Sequence, residues 1–182
     1  MDVTSVENEV VQENQSMLDV LHQVESQLQR LLKSSEEKHW NSLFVDYHPP
    51  FVERLWTQSS DCRIYLHRIH PCEPGEALFH THPWPSAMRV LEGSYELAVG
   101  YGAGEKEPPV AARMILGPGS EYEMTDPNGW HFVRPIEKPT MSLMVAGRPW
   151  DRSSPKSDKP LKSLPLERQQ EIFQFFRKHY LN

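Results

Sequence analysis

Two histidines stand one residue apart in the stretch FHTHP, at His80 and His82. On a β-strand, residues i and i+2 point to the same face, so both imidazoles can reach a single metal ion. A further donor is available at His131, which follows a turn and begins another predicted strand. Three imidazoles can hold a divalent transition metal and leave coordination positions open. We predict one metal site formed by these three histidines; the alternative is that they are hydrogen-bonded residues lining a barrel.

The middle of the chain has the pattern of the strands that such a site needs. Residues 62–70, 87–101 and 113–117 combine β-branched, aromatic and polar side chains, which is typical of strands. Turn sequences rich in Pro and Gly recur between them, and their spacing leaves no room for crossover helices. We expect an all-β body, an antiparallel sandwich or barrel, over residues 51–150.

A helix is predicted before this body. Apolar residues recur from Val10 to Leu31 in steps of three, four or seven, which forms one helical stripe. The stripe predicts a helix that lies against the main domain or a neighbouring subunit, and a coiled-coil homodimer is the alternative. We assign residues 1–50 to an N-terminal helical extension.

A second helix is predicted at the C-terminal end. Residues 151–163 are polar, charged and interrupted by proline, as in a linker. Pro165 stands where a helix can begin, and Phe173 and Phe176 follow at helical spacing. We assign residues 151–182 to a linker and a helix whose aromatic face docks on the barrel.

Composition limits the classes of partner. The 182 residues are 38% hydrophobic, which fits one core with terminal extensions. No apolar run approaches the roughly 18 residues of a membrane helix, and the acidic N-terminus does not resemble a secretory signal, so we expect a cytoplasmic protein. The formal net charge of −6, without a Lys/Arg stripe, argues against nucleic acid as a partner. Two cysteines are too few for a disulfide scaffold.

The order of the motifs resembles the cupin superfamily, the RmlC-like jelly rolls. Its first motif contains Gly, H-x-H, Glu and Gly, and its second contains Gly, P-x-G, His and Asn. The residues that fit these frames are His80, His82, Gly93, Gly119, Pro127, Gly129 and His131, with one residue fewer than usual before the last. The resemblance covers about residues 64–146. It implies that the barrel is a cupin-type antiparallel double-stranded β-helix, or jelly roll, with an N-terminal and a C-terminal α-helix.

Three positions depart from the cupin pattern. Ser86 stands where the glutamate ligand would fall, Pro135 replaces the closing asparagine, and Gly75 is one residue closer to the H-x-H than the usual opening glycine. A three-histidine site without the carboxylate is similar to the thiol dioxygenases and diketone-cleaving dioxygenases among the cupins, which use Fe(II) and molecular oxygen.

Further similarity to the thiol dioxygenases lies in the stretches GWHFV, SLMVAG and PWD. Arg54 lies about where that family keeps its carboxylate-binding arginine, so the resemblance implies a cysteine dioxygenase-like oxidoreductase. However, Ser142, Met144 and Ala146 stand where that family has Ser-x-His-x-Tyr, and no cysteine follows the H-x-H. These differences argue against oxidation of cysteine itself.

Other side chains near the motifs are candidates for a pocket. Trp84 and Trp130 are expected either to line an apolar pocket or to plug the barrel. His67 and His70 are expected to be surface or hydrogen-bonded core groups on opposite faces of one strand. The remaining arginines on or beside the strands are expected mostly at solvated strand ends, and they are Arg68, Arg89, Arg134 and Arg148.

The leading hypothesis for function is a mononuclear Fe(II) dioxygenase. Three neutral imidazoles leave the charge of the ion uncompensated, which favours a small-molecule substrate that is anionic or chelating, such as a thiolate, an enolate or a carboxylate. One alternative is a module that binds a metal or a small ligand without turnover. Another is an isomerase or lyase that uses Zn, Mn or Ni.

Overall fold

The structure is a computed structural model, and it describes residues 16–33, 40–59, 62–151 and 155–181. Val10, the first residue of the predicted N-terminal stripe, lies outside these ranges. The elements in chain order are α1 (Met17–Lys33), β1 (Asn41–Val45), β2 (Val52–Gln58), β3 (Arg63–Ile69), β4 (His80–Thr81), β5 (Ser86–Glu92), β6 (Tyr95–Tyr101), β7 (Val110–Leu116), β8 (Glu121–Met124), β9 (Gly129–Pro135), β10 (Thr140–Ala146) and α2 (Leu166–Leu181). Within the described ranges, neither helix is long and apolar enough to cross a membrane.

The ten strands form two antiparallel sheets. Sheet A has the order β1-β2-β3-β10-β5-β8, and sheet B has the order β4-β9-β6-β7. The last four strands of sheet A and the four strands of sheet B give the strand order of an eight-stranded jelly roll, and β1 and β2 extend sheet A. The predicted antiparallel jelly roll with one helix at each end is confirmed.

Helix α1 begins with a cap that its sequence provides. The Ser16 hydroxyl oxygen accepts a hydrogen bond from the backbone N–H of Asp19 at 3.2 Å, and a Glu123 carboxylate oxygen accepts one from the N–H of Leu18 at 3.0 Å. Both contacts satisfy donors that the first helical turn leaves free, and the negative charge suits the helix N-terminus. The cap therefore also joins α1 to strand β8.

The apolar stripe of α1 docks within the chain. Its buried residues are Met17, Leu21, Val24, Leu28 and Leu32. They pack against the outer face of sheet A, where Leu66 and Leu143 are fully buried. The stripe ends at buried Leu32, whereas the predicted position Leu31 is half-buried.

Helix α2 covers the same face of sheet A. Ile172, Phe173 and Phe176 are buried, which confirms the predicted docking of the aromatic face, while Leu166 is 64% exposed. A buried carboxylate supports this contact, because Glu53 of β2 pairs with Arg68 of β3 and with Arg168 of α2. Together the two helices cover the outer side of sheet A, while its inner side faces the barrel interior.

Two strands were not predicted from the sequence. Strand β1 lies within residues 1–50, the predicted helical extension, and it pairs with β2 over five residues. Strand β4 has only two residues, too few to show alternation. The assignment of residues 1–50, 51–150 and 151–182 to separate regions stays a prediction.

Candidate metal centre

Strand pairing brings the predicted histidines together. His80 of β4 lies directly opposite His131 of β9, and opposed residues of antiparallel strands point to the same face. His82 follows β4 two residues after His80, so its side chain returns to that face. All three line one cavity between the sheets.

The three rings form a compact triangle. Their centroids lie 5.0 Å apart for His80 and His82, 5.1 Å for His80 and His131, and 4.7 Å for His82 and His131. The Nε2 atoms of His82 and His131 are 2.6 Å apart. One nitrogen from each residue lies within 4.8 Å of the other two.

Burial keeps these imidazoles neutral. Desolvation lowers the pKa of His80 to about 4 and that of His131 to about 3. It also holds the pKa of His82 well below its ordinary value, with the neighbouring His131 as the next cause. Neutral imidazole is the form that binds a metal, so the cluster does not have to lose protons at neutral pH before it coordinates an ion.

The hydrogen bonds of the rings orient one ligand firmly. The Nδ1–H of His80 donates to the backbone carbonyl of Leu78 at 2.8 Å, which leaves Nε2 as the donor to an ion. His131 Nδ1 is buried and has no hydrogen-bond partner in the described part of the chain. A backbone carbonyl therefore fixes the ring orientation of His80, whereas no hydrogen bond to a described residue fixes that of His131 through its Nδ1.

The donor set fits a divalent transition metal. Imidazole nitrogens bind Zn²⁺ at about 2.0–2.1 Å, so two of them on one ion lie at most about 4.2 Å apart. The candidate nitrogens lie within 4.8 Å of one another, close to that upper limit. No carboxylate belongs to the cluster within the ranges described, and Ser86 stands where a cupin would carry its glutamate.

The histidines open into a cavity of about 150 Å³. Its walls combine apolar side chains with five histidines and Arg54. Its lining residues are Val45, Tyr47, His48, Pro50, Val52, Arg54, His67, Ile69, His80, Thr81, His82, Pro83, Trp84, Met88, His131, Val133, Met144 and Pro155. This lining contains no Asp, Glu or Cys, so the cavity presents cationic and neutral groups to a ligand.

Arg54 lines this cavity. Its guanidinium carbon lies 5.2 Å from the centroid of the Tyr65 ring, and its Nε is buried without a hydrogen-bond partner. Burial lowers the pKa of this guanidinium. Arg68, Arg89 and Arg134 differ from it, since each pairs with a glutamate.

The two predicted tryptophans are placed on different faces. Trp84 lines the cavity, and its ring centroid is 6.0 Å from that of His82. Trp130 precedes His131 on β9 and therefore points to the opposite face. There it packs with Phe79 and Phe132 on the outer side of sheet B. Trp130 is thus not part of the cavity, which corrects its prediction as a pocket residue.

Sequence reasoning missed two histidines of the cavity. His48 lies 5.7 Å from His80 between ring centroids, and His67 is 5% exposed with both ring nitrogens unpartnered in the described residues. The expectation of a hydrogen-bonded or surface His67 was wrong. The alternation of β3 separates His67 from His70, but only the pairing of β3 with its neighbours shows which face is inward.

Comparisons with known proteins found similar solved structures but no similar sequence family. No protein-family model and no curated protein matches the sequence. Among solved structures, hydroxypropylphosphonic acid epoxidase from S. wedmorenis matches at 15% identity with a TM-score of 0.47, over 60% of this chain and 56% of that one. KdgF from Halomonas sp. matches at 14% identity with a TM-score of 0.43, over 58% of this chain and 87% of that one.

A third match is the formate complex of oxalate decarboxylase from Lactobacillus farciminis. It has 14% identity and a TM-score of 0.44, over 62% of this chain and 32% of that one. This chain thus spans little more than half of the epoxidase and about a third of the decarboxylase. The likeness to these structures concerns the fold alone, and the jelly-roll assignment rests on the strand order given above.

Proposed function

We propose that this chain is a metal-dependent cupin enzyme, a mononuclear non-haem Fe(II) dioxygenase that acts on a small anionic or chelating molecule. The observation that carries the proposal is the cluster of His80, His82 and His131, three neutral imidazoles that face one cavity. Bound Fe(II) would supply open coordination positions and redox chemistry toward molecular oxygen.

The charge of the cavity supports an anionic substrate. A divalent ion held by three neutral ligands keeps both of its positive charges, and among the described residues no carboxylate lines the cavity to offset them. Arg54 adds a further positive charge. A substrate that carries a thiolate, an enolate or a carboxylate would neutralise this charge on binding.

The protein itself contributes position and exclusion of water. His80 is held by its bond to Leu78, which fixes the nitrogen that faces the cavity. Trp84 and Met88 form apolar wall beside the histidines. Displacement of water from the cavity by a substrate would strengthen its electrostatic contacts with Arg54, because water screens them less there.

Binding without turnover is the second candidate. The described lining of the cavity contains no carboxylate that could act as a general base. A chain with this site could therefore hold a metal or a small ligand and release it unchanged. Zn, Mn or Ni in place of Fe would suit this role or that of an isomerase or lyase.

Oxygen uptake separates these functions. The protein, loaded anaerobically with Fe(II), would be mixed with small thiols, β-diketones and carboxylates in an oxygen electrode. We expect oxygen consumption with at least one anionic substrate and none with the Zn(II)-loaded protein. Oxygen uptake equal to that of free Fe(II) with every compound would contradict the dioxygenase and favour the binding module.

A further inference from the structure

Strand β7 is an uncovered edge of sheet B. It pairs with β6 on one side, and on its other side the described part of the chain provides no neighbouring strand. Six of its seven residues are exposed, including the apolar side chains of Val110, Met114 and Ile115. An edge strand of this kind presents a row of unpaired backbone N–H and C=O groups to any strand that can lie beside it.

The features that protect an edge strand are confined to the ends of β7. Pro109 precedes the strand and Pro118 follows it. A register shift in the pairing with β6, between Val99 and Gly100, lies beside the start of β7. The segment Ala112–Leu116 contains neither a proline nor a lysine, and its pairing with β6 is regular. Since prolines, lysines and bulges are what keep edge strands from associating, this segment remains able to pair.

The single charge of this segment is balanced within the chain. The Arg113 guanidinium lies 2.6 Å from a carboxylate oxygen of Glu96, and its central carbon lies 5.3 Å from the ring centroid of Phe132. Ile115 is directly opposite Glu96 on β6, and opposed residues share a face. The outer face of β7 therefore presents an arginine and an isoleucine side by side, with a glutamate behind them.

We propose that β7 pairs with β7 of a second copy of this chain, antiparallel about a two-fold axis at Met114. The hydrogen-bonding groups of an antiparallel strand are complementary to those of its own copy, so one strand can form both sides of such an interface. In this register Met114 lies opposite the partner's Met114, and Arg113 lies opposite the partner's Ile115.

The other symmetric registers fit less well. An axis at Arg113 would place two guanidiniums directly opposite each other, and like charges in that position destabilise an antiparallel pair. An axis at Ala112 would bring the irregular start of the strand and Pro109 into the pairing, and proline cannot donate a hydrogen bond.

Charge complementarity favours a second copy over an unrelated strand. Across the interface, one row of side chains on the outer face would contain Arg113, the partner's Ile115 and the partner's Glu96, because the last two are opposed within each copy. Two strand spacings, about 10 Å, separate the strands of the arginine and the glutamate, and the long arginine side chain shortens this distance. The two-fold axis repeats the contact, so each copy supplies both charges.

This interface leaves the histidine cavity open. His80 and His131 belong to β4 and β9, which lie on the other side of β6 from β7. Helix α1 takes no part in the interface, since its apolar stripe packs on sheet A of its own chain. The two copies of sheet B join into one continuous sheet.

Lysine substitutions in the full-length chain test the interface. Ile115→Lys puts an ammonium group opposite the partner's Arg113, and Leu166→Lys is the matched control because both side chains are 64% exposed. Sedimentation velocity over a range of protein concentrations gives the dimer dissociation constant, and circular dichroism checks the fold of each variant. We expect dimers in wild type and in Leu166→Lys, and a dissociation constant about tenfold or more larger in Ile115→Lys.

Cysteine substitutions test the register independently. Met114→Cys places two thiols opposite each other at the axis. Ala112→Cys, exposed on the same face of β7, places them about 13 Å apart along the strands, too far for a disulfide. We expect mild oxidation to link the copies of Met114→Cys and to leave Ala112→Cys unlinked, as in wild type.

Three results would overturn the proposal. A monomeric wild type at every concentration would leave the edge to a strand from another protein. A wild-type dissociation constant in folded Ile115→Lys would place the interface elsewhere. Linkage of Ala112→Cys in place of Met114→Cys would exclude the Met114 axis.

Discussion

Alternation along strand β9 gives neighbouring residues different surroundings. His131 faces the barrel interior opposite His80, whereas Trp130 faces outward and packs with Phe79. The side chain of a tryptophan that precedes a candidate ligand in sequence therefore lies on the other face of the sheet from that ligand. The same alternation places the side chains of His80 and His82 on one face, which their spacing in the sequence predicted.

The strand register in sheet A brings together residues whose proximity could not be predicted from the sequence. His67 and Arg54 come together because β2 pairs with β3 in a defined register. That register depends on turn geometry and on which face the helices cover, and neither can be read from the alternation of β3 alone. The histidine cluster was predictable from the local spacing of its residues, while the pairing of Arg54 with His67 across two strands was not.

The buried histidines predict how stability depends on pH. The folded-state pKa of His67, about 3, lies below the unfolded value of about 6.5. Below pH 6.5 the unfolded chain therefore binds a proton that the folded chain does not, and stability falls as the pH drops toward 3. Each such histidine contributes about 1.4 kcal/mol per pH unit in this interval.

Urea unfolding of metal-free protein between about pH 6 and pH 4 measures this slope. We expect His67→Phe to reduce the loss of unfolding free energy by about 1.4 kcal/mol per pH unit relative to wild type. His179→Phe, at an exposed position, should keep the wild-type slope. Identical slopes for wild type and His67→Phe would show that His67 takes up a proton in the folded protein as readily as in the unfolded chain.

At the scale of elements, both helices cover one sheet. The stripe of α1 and the aromatic face of α2 bury the outer side of sheet A, and Tyr180 of α2 donates a hydrogen bond to Glu25 of α1 at 2.7 Å. Both helices were predictable because their apolar residues recur at helical spacing. Strand β4 was not predictable, since two residues are too few to show a periodic pattern. It is defined only by its pairing with β9.

The aromatic face of α2 predicts a large effect for one substitution. Phe176 is fully buried, so Phe176→Ala leaves a cavity and should lower the free energy of unfolding by about 3–5 kcal/mol. Leu166→Ala on the same helix, at a side chain that is 64% exposed, should change it little. Denaturant unfolding compares the two. A loss below about 0.5 kcal/mol for Phe176→Ala would mean that α2 is loosely attached.

Deletion of residues 1–35 tests the role of α1. The deletion uncovers the outer face of sheet A, including fully buried Leu66 and Leu143, so we expect a lower melting temperature. Light scattering of the full-length and shortened chains also tests the predicted homodimer, because loss of a dimer with α1 would place the interface on that helix. An unchanged melting temperature and an unchanged oligomeric state would show that α1 has no structural role.

At the scale of the whole molecule, the main apolar cluster and the histidine cavity lie on opposite sides of sheet A. The helices and the outer layer of sheet A contain the larger apolar cluster, and the interior between the sheets holds the cavity with its histidines and Arg54. Two large ion-pair groups, around Glu53 and Arg89, lie between the helices and sheet A. Glu53 and Arg89 thus have ionic partners outside the cavity, while Arg54 and His67 line it.

The most direct test of the metal site is the metal content per chain. Wild type, the alanine variants of His80, His82 and His131, and the control His179→Ala would be purified without an affinity tag. Each would be loaded anaerobically with Fe(II), Zn(II) or Mn(II) and analysed after removal of free ion. We expect about one ion per chain in wild type and the control, and almost none in the three variants, because two imidazoles hold an ion weakly. Full occupancy in His131→Ala would remove that residue from the site, and empty wild type after every loading would contradict a metal centre in this protein.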